Sequence, residues 1–502
     1  MSRCRAATFA RPAPDPDWVN PVSFDYDLIA IGSGPGGQRA AIQAAKLGKR
    51  VAVIERTSGV GGVCVRTGTI PSKTLREATM ALSGYRERGF YGSSYTVKQH
   101  IGMEDLTSRA DQVVRNETDV VRHQLLRNDI DLYSGVGSFL TPHVLAVDDA
   151  DGHGRQTLTA AHVVIATGTT ATRDPHVTFD GRRILTSDDA VTLDRLPRTL
   201  AVIGAGVIGL EYASMFSSLG VRVTLIDRRP RLLSYMDAEI MDALAFHMRQ
   251  GRMTLWLGEE VSGLDVDEAS DGKVRIHLVS GKHIVAEKAL YSIGRTGATG
   301  RLNLEAAGLA TDERGRLDVD EHYRTAVPHI YAVGDVIGFP SLASTSLEQG
   351  RLAACHAFGI AARSVPLLVP YAIYTIPEIS SVGRTEEELT LAGVPYEVGK
   401  AQYREIARGQ IIGDQSGLLK LIFHWETHAL LGVHIIGEGA SELIHIGQAV
   451  MTYGGRVEHF VETVLNYPTL AECYKTAALD GLNRLDSWQA AGPAATAISG
   501  AA

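Results

Sequence analysis

Residues 61–73 read GGVCVRTGTIPSK: a glycine pair, a thiol at Cys64, a hydroxyl at Thr69 and a lysine at Lys73. Thiol–disulfide exchange needs sulfur on both sides, because each step is attack of a thiolate on a sulfur. Thr69 cannot take part in it. Just upstream lies YDLIAIGSGPGGQRAAIQAAKLGKRVAVIER (26–56), and TLAVIGAGVIGLEYASMFSSLGVRVTLIDR (199–228) repeats its pattern. Each stretch has an apolar run, G-x-G-x-x-G, a run of small apolar residues and a second apolar run ending in an acid. The glycines are Gly32, Gly34 and Gly37, then Gly204, Gly206 and Gly209. The acids, Glu55 and Asp227, each stand eighteen residues past the last glycine.

That spacing has a physical reading. The first glycine makes a tight turn, the second lets a pyrophosphate approach the backbone, and the third lets helix and strand pack closely. The phosphates then meet the N-terminus of the helix, which Val207 and Ile208 open in the second copy. The acid at the end of the next strand takes ribose hydroxyls. One such motif is weak; two in full strand–turn–helix–strand context predict two dinucleotide sites. Arg56 follows the first acid. Arg228, Arg229 and Arg231 follow the second. Asp227 suits a free 2′-hydroxyl, whereas the arginines suit a 2′-phosphate, so the mixture fits use of both NAD and NADP, unless the basic turn merely faces water.

The elements that must position these residues are alternating strands and helices, an α/β pattern of doubly wound domains. At 502 residues the chain is long enough for about three domains of ordinary size. It is 45% hydrophobic and 21% charged, with a formal net charge of −8, which gives no electrostatic reason to bind nucleic acid or an anionic membrane. The four cysteines, Cys4, Cys64, Cys355 and Cys473, are too scattered for a disulfide framework or a metal site, so no metal is expected and a cytoplasmic setting is. The most apolar run, 199–216, is broken by glycines and carries Glu211, which reads as strand, turn and helix rather than a membrane span. The N-terminal segment has three arginines but no signal-like apolar stretch.

Other segments carry a family resemblance. AHVVIATGTTA (161–171) contains Thr167 and Gly168; LYSIGRTGAT (290–299) contains Gly294; HIYAVGDVIGFPSLAS (329–344) contains Gly334, Asp335 and Ala343. YAIYTIPEISSVG (371–383) and GVHIIGEGASELIHIGQAVM (432–451) follow. Together they resemble the flavoprotein disulfide reductase family, over about 26–485. The resemblance implies two Rossmann-type dinucleotide-binding domains plus a C-terminal α+β dimerisation domain. It places FAD in the first site and NAD(H) or NADP(H) in the second, in a homodimer or higher homo-oligomer. The implied division is an FAD-binding domain of 25–180 and 296–365, an NAD(P)-binding domain of 181–295 and a dimerisation domain of 366–485. An extension (1–24) and a tail (486–502) are expected to be disordered. Gly62, Cys64, Thr69 and Lys73 would line the flavin, with Lys73 beside its N5 and Glu211 as the lysine's partner.

Two positions depart from the family's thiol relay. Thr69 stands where the flavin-proximal cysteine belongs, which leaves Cys64 as an expected packing residue. In LNYPTLAECYKTAALDGLNRL (465–485), Tyr467 stands where the family has a histidine, while Glu472 remains. A phenol, which titrates near about 10, is a poor general base at neutral pH. Tyr467 and Glu472 are expected near the partner subunit's flavin. His445, on an apolar helix, is expected to pack in the core or an interface. With the thiol relay lost and both dinucleotide sites kept, the expected reaction is NADPH + NAD⁺ ⇌ NADP⁺ + NADH, ping-pong through the flavin. The chain would be an oxidoreductase acting on NAD(P)H with NAD(P)⁺ as acceptor, and GTIPSK, NYPT and GLNRL look like the transhydrogenase branch. The alternatives are an NAD(P)H:quinone reductase or diaphorase of the same family, and a non-catalytic flavin-bound subunit.

Overall fold

Both glycine motifs sit at the carboxyl end of an inner strand flanked by parallel neighbours, where phosphate-binding turns belong. The computed structural model describes residues 23–92, 94–149, 154–267, 272–362 and 368–491. Most of the expected extension and the last part of the expected tail lie outside these residues.

In the first sheet, strands Asp131–Ser134, Val51–Glu55, Tyr26–Ile31, Arg155–Ile165 and Ile330–Ala332 run parallel, in that order. Val51–Glu55 is buried throughout, as strands covered by helices on both faces must be. The first half of Arg155–Ile165 pairs antiparallel with Val144–Asp148, which pairs with Val136–Thr141. The second sheet is parallel: Thr254–Leu257, Arg222–Asp227, Thr199–Ile203, Lys288–Tyr291 and Ile184–Leu185. A three-stranded antiparallel sheet, Val261–Asp267, Lys273–Leu278 and His283–Ala286, lies beside it in sequence. The chain leaves the first unit along Thr169–Ala171 and returns along Arg295–Gly297, and these two strands pair antiparallel.

The third unit is an antiparallel sheet in the order Tyr371–Ile373, Ile379–Gly383, Leu430–Ile436, Leu418–His424 and Tyr396–Gln402. Helix Glu472–Ala491 covers it; a Cβ on Gly399 would come within 1.9 Å of the Ala477 carbonyl oxygen, so only glycine admits this approach. That helix continues past residue 485, where the sequence predicted the tail to begin. Its last turns hold Gln489, Ala490 and Ala491, good helix formers, and Gly492 and Pro493 come after them in the sequence.

Two contacts bring distant segments to the first motif. Helix Pro35–Lys46 crosses helix Ala343–Ala357 so closely that a Cβ on Gly350 would meet the Gly36 carbonyl oxygen at 2.0 Å. That crossing sets Gly334, Asp335 and Ala343 over the first glycine turn. One apolar cluster then joins the three units, with Leu75 and Met80 from the first, Leu210 and Phe216 from the second, and Ile376 and Ile379 from the third. Each such side chain contributes about 1.5–3 kcal/mol when fully buried.

At the opposite end of the first sheet, the His143 and His329 rings stack 3.7 Å apart. His162 packs edge-on against Phe358, its Nδ1 buried with no partner. Burial, reinforced by His329 and His143, holds His162 below the ordinary histidine value, and burial does the same for His329. The folded state therefore favours the neutral rings. Their contribution is complete above about 6.5, the unfolded value, and is lost as pH falls through it toward the depressed folded values. Melting temperature is expected to drop between about pH 7 and 5, and His162→Phe, which keeps a ring on Phe358, to flatten that slope. Equal slopes in the two proteins, measured by calorimetry, would refute this account.

Candidate active site

A cavity of about 1130 Å³ runs from the first glycine turn to the junction of the three units. Gly32, Gly34, Glu55 and Arg56 line one end. Gly62, Cys64, Thr69 and Lys73 line its middle, with Thr167 and Gly168 beside them. Gly334, Asp335 and Ala343 face them, and Val207, Ile208 and Glu211 close the far end. Residues separated by more than three hundred positions thus share one wall.

The two turns have the same construction. Gly32 and Gly204 have φ of +105° and +98°, which side-chain-bearing residues avoid. A Cβ on Gly37 or on Gly209 would sit 1.9 Å from the carbonyl oxygen of Gly32 or Gly204. A Cβ on Gly34 or Gly206 would meet nothing within 4 Å, so these two backbones face open space. Helices Pro35–Lys46 and Val207–Ser218 start there and direct their N-termini at that space. This is the cradle a pyrophosphate requires, and it is built twice. Thr167 Oγ1 and Asp188 Oδ1 on the cavity wall are buried without a partner in the protein, as fits a wall whose remaining bonds go to a ligand.

Glu55 is already well satisfied. It accepts from the Ser33 N–H and hydroxyl and from the Thr57 N–H and hydroxyl. Ser33 also accepts from the Gly61 N–H at 2.9 Å, which ties the GG pair to the first turn. A Cβ on Gly62 would lie 2.9 Å from Gly34 Cα. Neither Ser33 nor Thr57 was singled out by the sequence pattern, because Ser33 occupies a variable position of it and Thr57 lies two residues past its acid. Across the cavity, Gly334 donates its N–H to Gln349 at 2.8 Å. Burial pushes the Asp335 carboxyl up, against the Arg295 charge and the Thr169 hydroxyl. Arg295, next to Gly294, grips Thr169 through Nε at 2.7 Å and Nη2 at 2.8 Å, which fixes the two crossing strands.

Lys73 and Glu211 meet in a fork, with Nζ 2.9 and 2.7 Å from the two carboxylate oxygens. Glu211 also accepts the Tyr374 N–H at 2.9 Å, and Lys73 Nζ lies 4.9 Å from the centre of the Tyr374 ring. The pairing that the resemblance implied is therefore present in the geometry. Glu211 is 5% exposed and Lys73 27%, so the cation is the more accessible member of the pair.

Cys64 lies on a short helix, Gly62–Arg66, and Thr69 opens the next helix, Thr69–Ser83. Burial pushes the Cys64 thiol up, although the Thr69 side chain hydrogen-bonded to it works the other way. A thiol so placed resists ionisation.

Gly204, Gly206 and Gly209 of the second turn lie outside the wall of this cavity, although Val207 and Ile208 between them reach it. Asp227 there accepts from the Ala205 N–H at 2.6 Å and from both the N–H and the guanidinium of Arg229. Arg228 and Arg231 are exposed. Gly294, with φ of +128°, leads into the returning strand and is not on the cavity wall. Tyr467 is 73% exposed, and Glu472 Oε2 is buried without a partner. His445 is not in the core of the chain: it is exposed, lines the cavity and bonds Gln448 at 2.8 Å. Among the described residues no group of three or more histidine, cysteine or carboxylate side chains is placed to hold a metal ion, and no helix is long and apolar enough to cross a membrane.

Comparison with known proteins adds a second line. The pyridine nucleotide-disulphide oxidoreductase family model matches residues 26–350, and its dimerisation domain matches 369–478. The soluble pyridine nucleotide transhydrogenase of Mycobacterium bovis is 54% identical over 92% of this chain and 98% of its own length. That of Pectobacterium atrosepticum is 47% identical over 92% and 98%. Among solved structures, LpdA of Mycobacterium tuberculosis superposes with a TM-score of 0.83 at 28% identity, over 90% of this chain and 99% of that one. The flavoprotein disulfide reductase RclA of Escherichia coli gives 0.81 at 28%, over 90% and 99%.

The two turns should fail separately. Gly37→Ala is expected to yield protein without bound flavin, because its Cβ collides with Gly32. Gly209→Ala should keep the flavin and lose nicotinamide dinucleotide binding by at least about tenfold, the equivalent of 1.4 kcal/mol. Visible absorbance and calorimetric titration read the two effects; loss of flavin from Gly209→Ala would contradict the division of labour.

Proposed function

The chain belongs to the pyridine nucleotide-disulphide oxidoreductase family, and on that footing we propose that it is an FAD-dependent transhydrogenase, moving hydride reversibly between NADPH and NAD⁺ in ping-pong order. One observation carries the reading. Two complete dinucleotide turns and the Lys73–Glu211 pair coexist with a thiol that has no sulfur partner, only Thr69.

Bound FAD supplies the two-electron carrier that both nicotinamides share. The protein's part is orientation and electrostatics. The Gly32–Gly37 turn and helix Pro35–Lys46 hold the pyrophosphate of the cofactor, Glu55 and Arg56 its ribose end, and Asp335 with the start of helix Ala343–Ala357 its far side. Gly168 and the unpartnered Thr167 hydroxyl complete that wall. Lys73 places a fixed cation where negative charge develops, and Glu211 fixes its direction. Val207, Ile208 and the Gly204–Gly209 turn seat the nicotinamide dinucleotide, with Asp227, Arg228 and Arg229 at its adenosine end. Cys64 serves as packing.

We assign 25–180 with 296–365 to FAD, 181–295 to NAD(P), and 366–485 to dimerisation, a division that the separation into three main sheets supports. We assign a homodimer in which Tyr467 and Glu472 lie near the partner's flavin. A phenol there cannot replace a histidine base, and transhydrogenation does not need one. The scattered cysteines fit a cytoplasmic enzyme.

Anaerobic addition of NADPH to purified protein is expected to bleach the flavin band without a long-wavelength thiolate band. Excess NAD⁺ should restore the band and yield NADH. Recovery with a quinone but not with NAD⁺ would establish the reductase reading instead; no bleaching would establish a non-catalytic subunit. Turnover of lipoamide or glutathione disulfide would overturn the assignment of Thr69.

The pair itself has a separate test. Glu211→Gln keeps an acceptor for Tyr374 N–H and removes the charge that orients Lys73. Flavin reduction by NADPH is expected to slow about ten- to hundredfold, or 1.4–2.7 kcal/mol in barrier, with flavin still bound. An unchanged rate in stopped-flow absorbance would remove the pair from the mechanism.

A further inference from the structure

The two copies of the nucleotide fold hold their strand-end acids with one geometry and two chemistries. In the first copy, Glu55 Oε2 accepts from the Ser33 N–H at 3.1 Å and hydroxyl at 2.5 Å, and Oε1 accepts from the Thr57 N–H at 3.0 Å and hydroxyl at 2.9 Å. In the second copy, Ala205 stands at the Ser33 position and Arg229 at the Thr57 position. Their N–H groups make the same backbone contacts with Asp227, at 2.6 and 2.8 Å. Both hydroxyls are gone. In their place the Arg229 guanidinium forks onto the carboxylate, Nε on Oδ1 at 2.9 Å and Nη2 on Oδ2 at 2.7 Å.

The acid and the cation that would suit two different dinucleotides therefore occupy each other. Asp227 is 6% exposed and fixed by backbone donors; Arg229 is 42% exposed and sits on a flexible stem. The arginine is the movable half. When it leaves, Asp227 keeps the two backbone N–H donors, so no buried charge is stranded.

Resting on the reading that NAD and NADP share the second site, we propose that Arg229 is an exchangeable lock on Asp227 that lets one pocket accept both dinucleotides. A 2′-phosphate draws the fork off Asp227 and replaces one bidentate anion with another. A free 2′-hydroxyl donates to Asp227 and displaces the fork into solvent. In both cases one charge-assisted contact breaks as another forms, so neither ligand gains its full contact energy. A closed lock lowers each apparent affinity by the fraction of protein that is open, so neither dinucleotide binds at full strength. Arg228 and Arg231, exposed beside the pair, add attraction for phosphate in either state.

The test is calorimetric titration of the flavin-loaded protein with NAD⁺ or NADP⁺ alone, so that no hydride moves. Arg229→Thr rebuilds the neutral donor set of the first copy. It is expected to weaken NADP⁺ about ten- to hundredfold, the scale of a charged hydrogen bond, and to tighten NAD⁺ severalfold. Asp227→Asn should do the reverse. Arg229→Lys, which keeps the charge without the fork, should give smaller changes of the same signs and guards against a folding defect in the threonine variant. The reciprocal gain is the signature. If NAD⁺ binding is unchanged in Arg229→Thr, the arginine is only a phosphate contact; if both ligands weaken, it only supports Asp227; either result overturns the lock. Reduction of NAD⁺ by NADPH, assayed on the unaltered protein, keeps the two ideas apart. Reciprocal shifts without that reaction would remove the transhydrogenase reading and leave the lock, and the reaction without the shifts would do the opposite.

Discussion

Lys73 and Glu211 lie 138 residues apart in sequence and 2.7 Å apart in space, and three structural units depend on their meeting. Lys73 comes from helix Thr69–Ser83 of the first unit and Glu211 from helix Val207–Ser218 of the second. Tyr374, whose N–H the same carboxylate accepts, begins the loop of the third. Neighbouring contacts reinforce the junction. Ser214 accepts the Ile376 N–H at 3.1 Å, and Arg76, buried, binds the Thr375 carbonyl at 3.0 Å and Glu378 at 3.2 Å. Removing one member of a buried pair costs about 3–5 kcal/mol, and the partial exposure of Lys73 lowers that figure here. The cavity exists because these helices are held apart at its walls and together at this corner.

The duplicated nucleotide fold shows which features of a site are rigid and which can change. The closest glycine contact, 1.9 Å, is the same in both copies, because helix and strand backbones approach that closely only where a glycine admits it. The donors around the acids have diverged. The hydroxyls of Ser33 and Thr57 hold Glu55, whereas the Arg229 guanidinium holds Asp227.

The loss of disulfide chemistry is coherent across the chain. Thr69 removes the second sulfur, burial keeps the Cys64 thiol protonated, and Tyr467 removes the imidazole. None of these changes touches the glycine turns, Asp335 or the Lys73–Glu211 fork. Hydride transfer between dinucleotides needs only the parts that remain.

The amino-acid sequence by itself determined the two turns, their strands and helices, the two acids and the missing sulfur. Each of these is written in contiguous residues, where a positive φ, a close helix–strand approach or a strand end leaves a local signature. Resemblance extended that reading to Asp335, Thr167 and the Lys73–Glu211 partnership. The tertiary structure decided what depends on distant segments meeting. Arg229 proved to be bound to Asp227 rather than free for a phosphate, and Arg295 to be clamped on Thr169, 126 residues away. His445 turned toward the cavity, Cys64 entered a helix, and three histidines from separate strands and turns gathered at the far end of the first sheet. Side-chain partners of this kind follow from sheet order and helix crossings, and no local pattern specifies either.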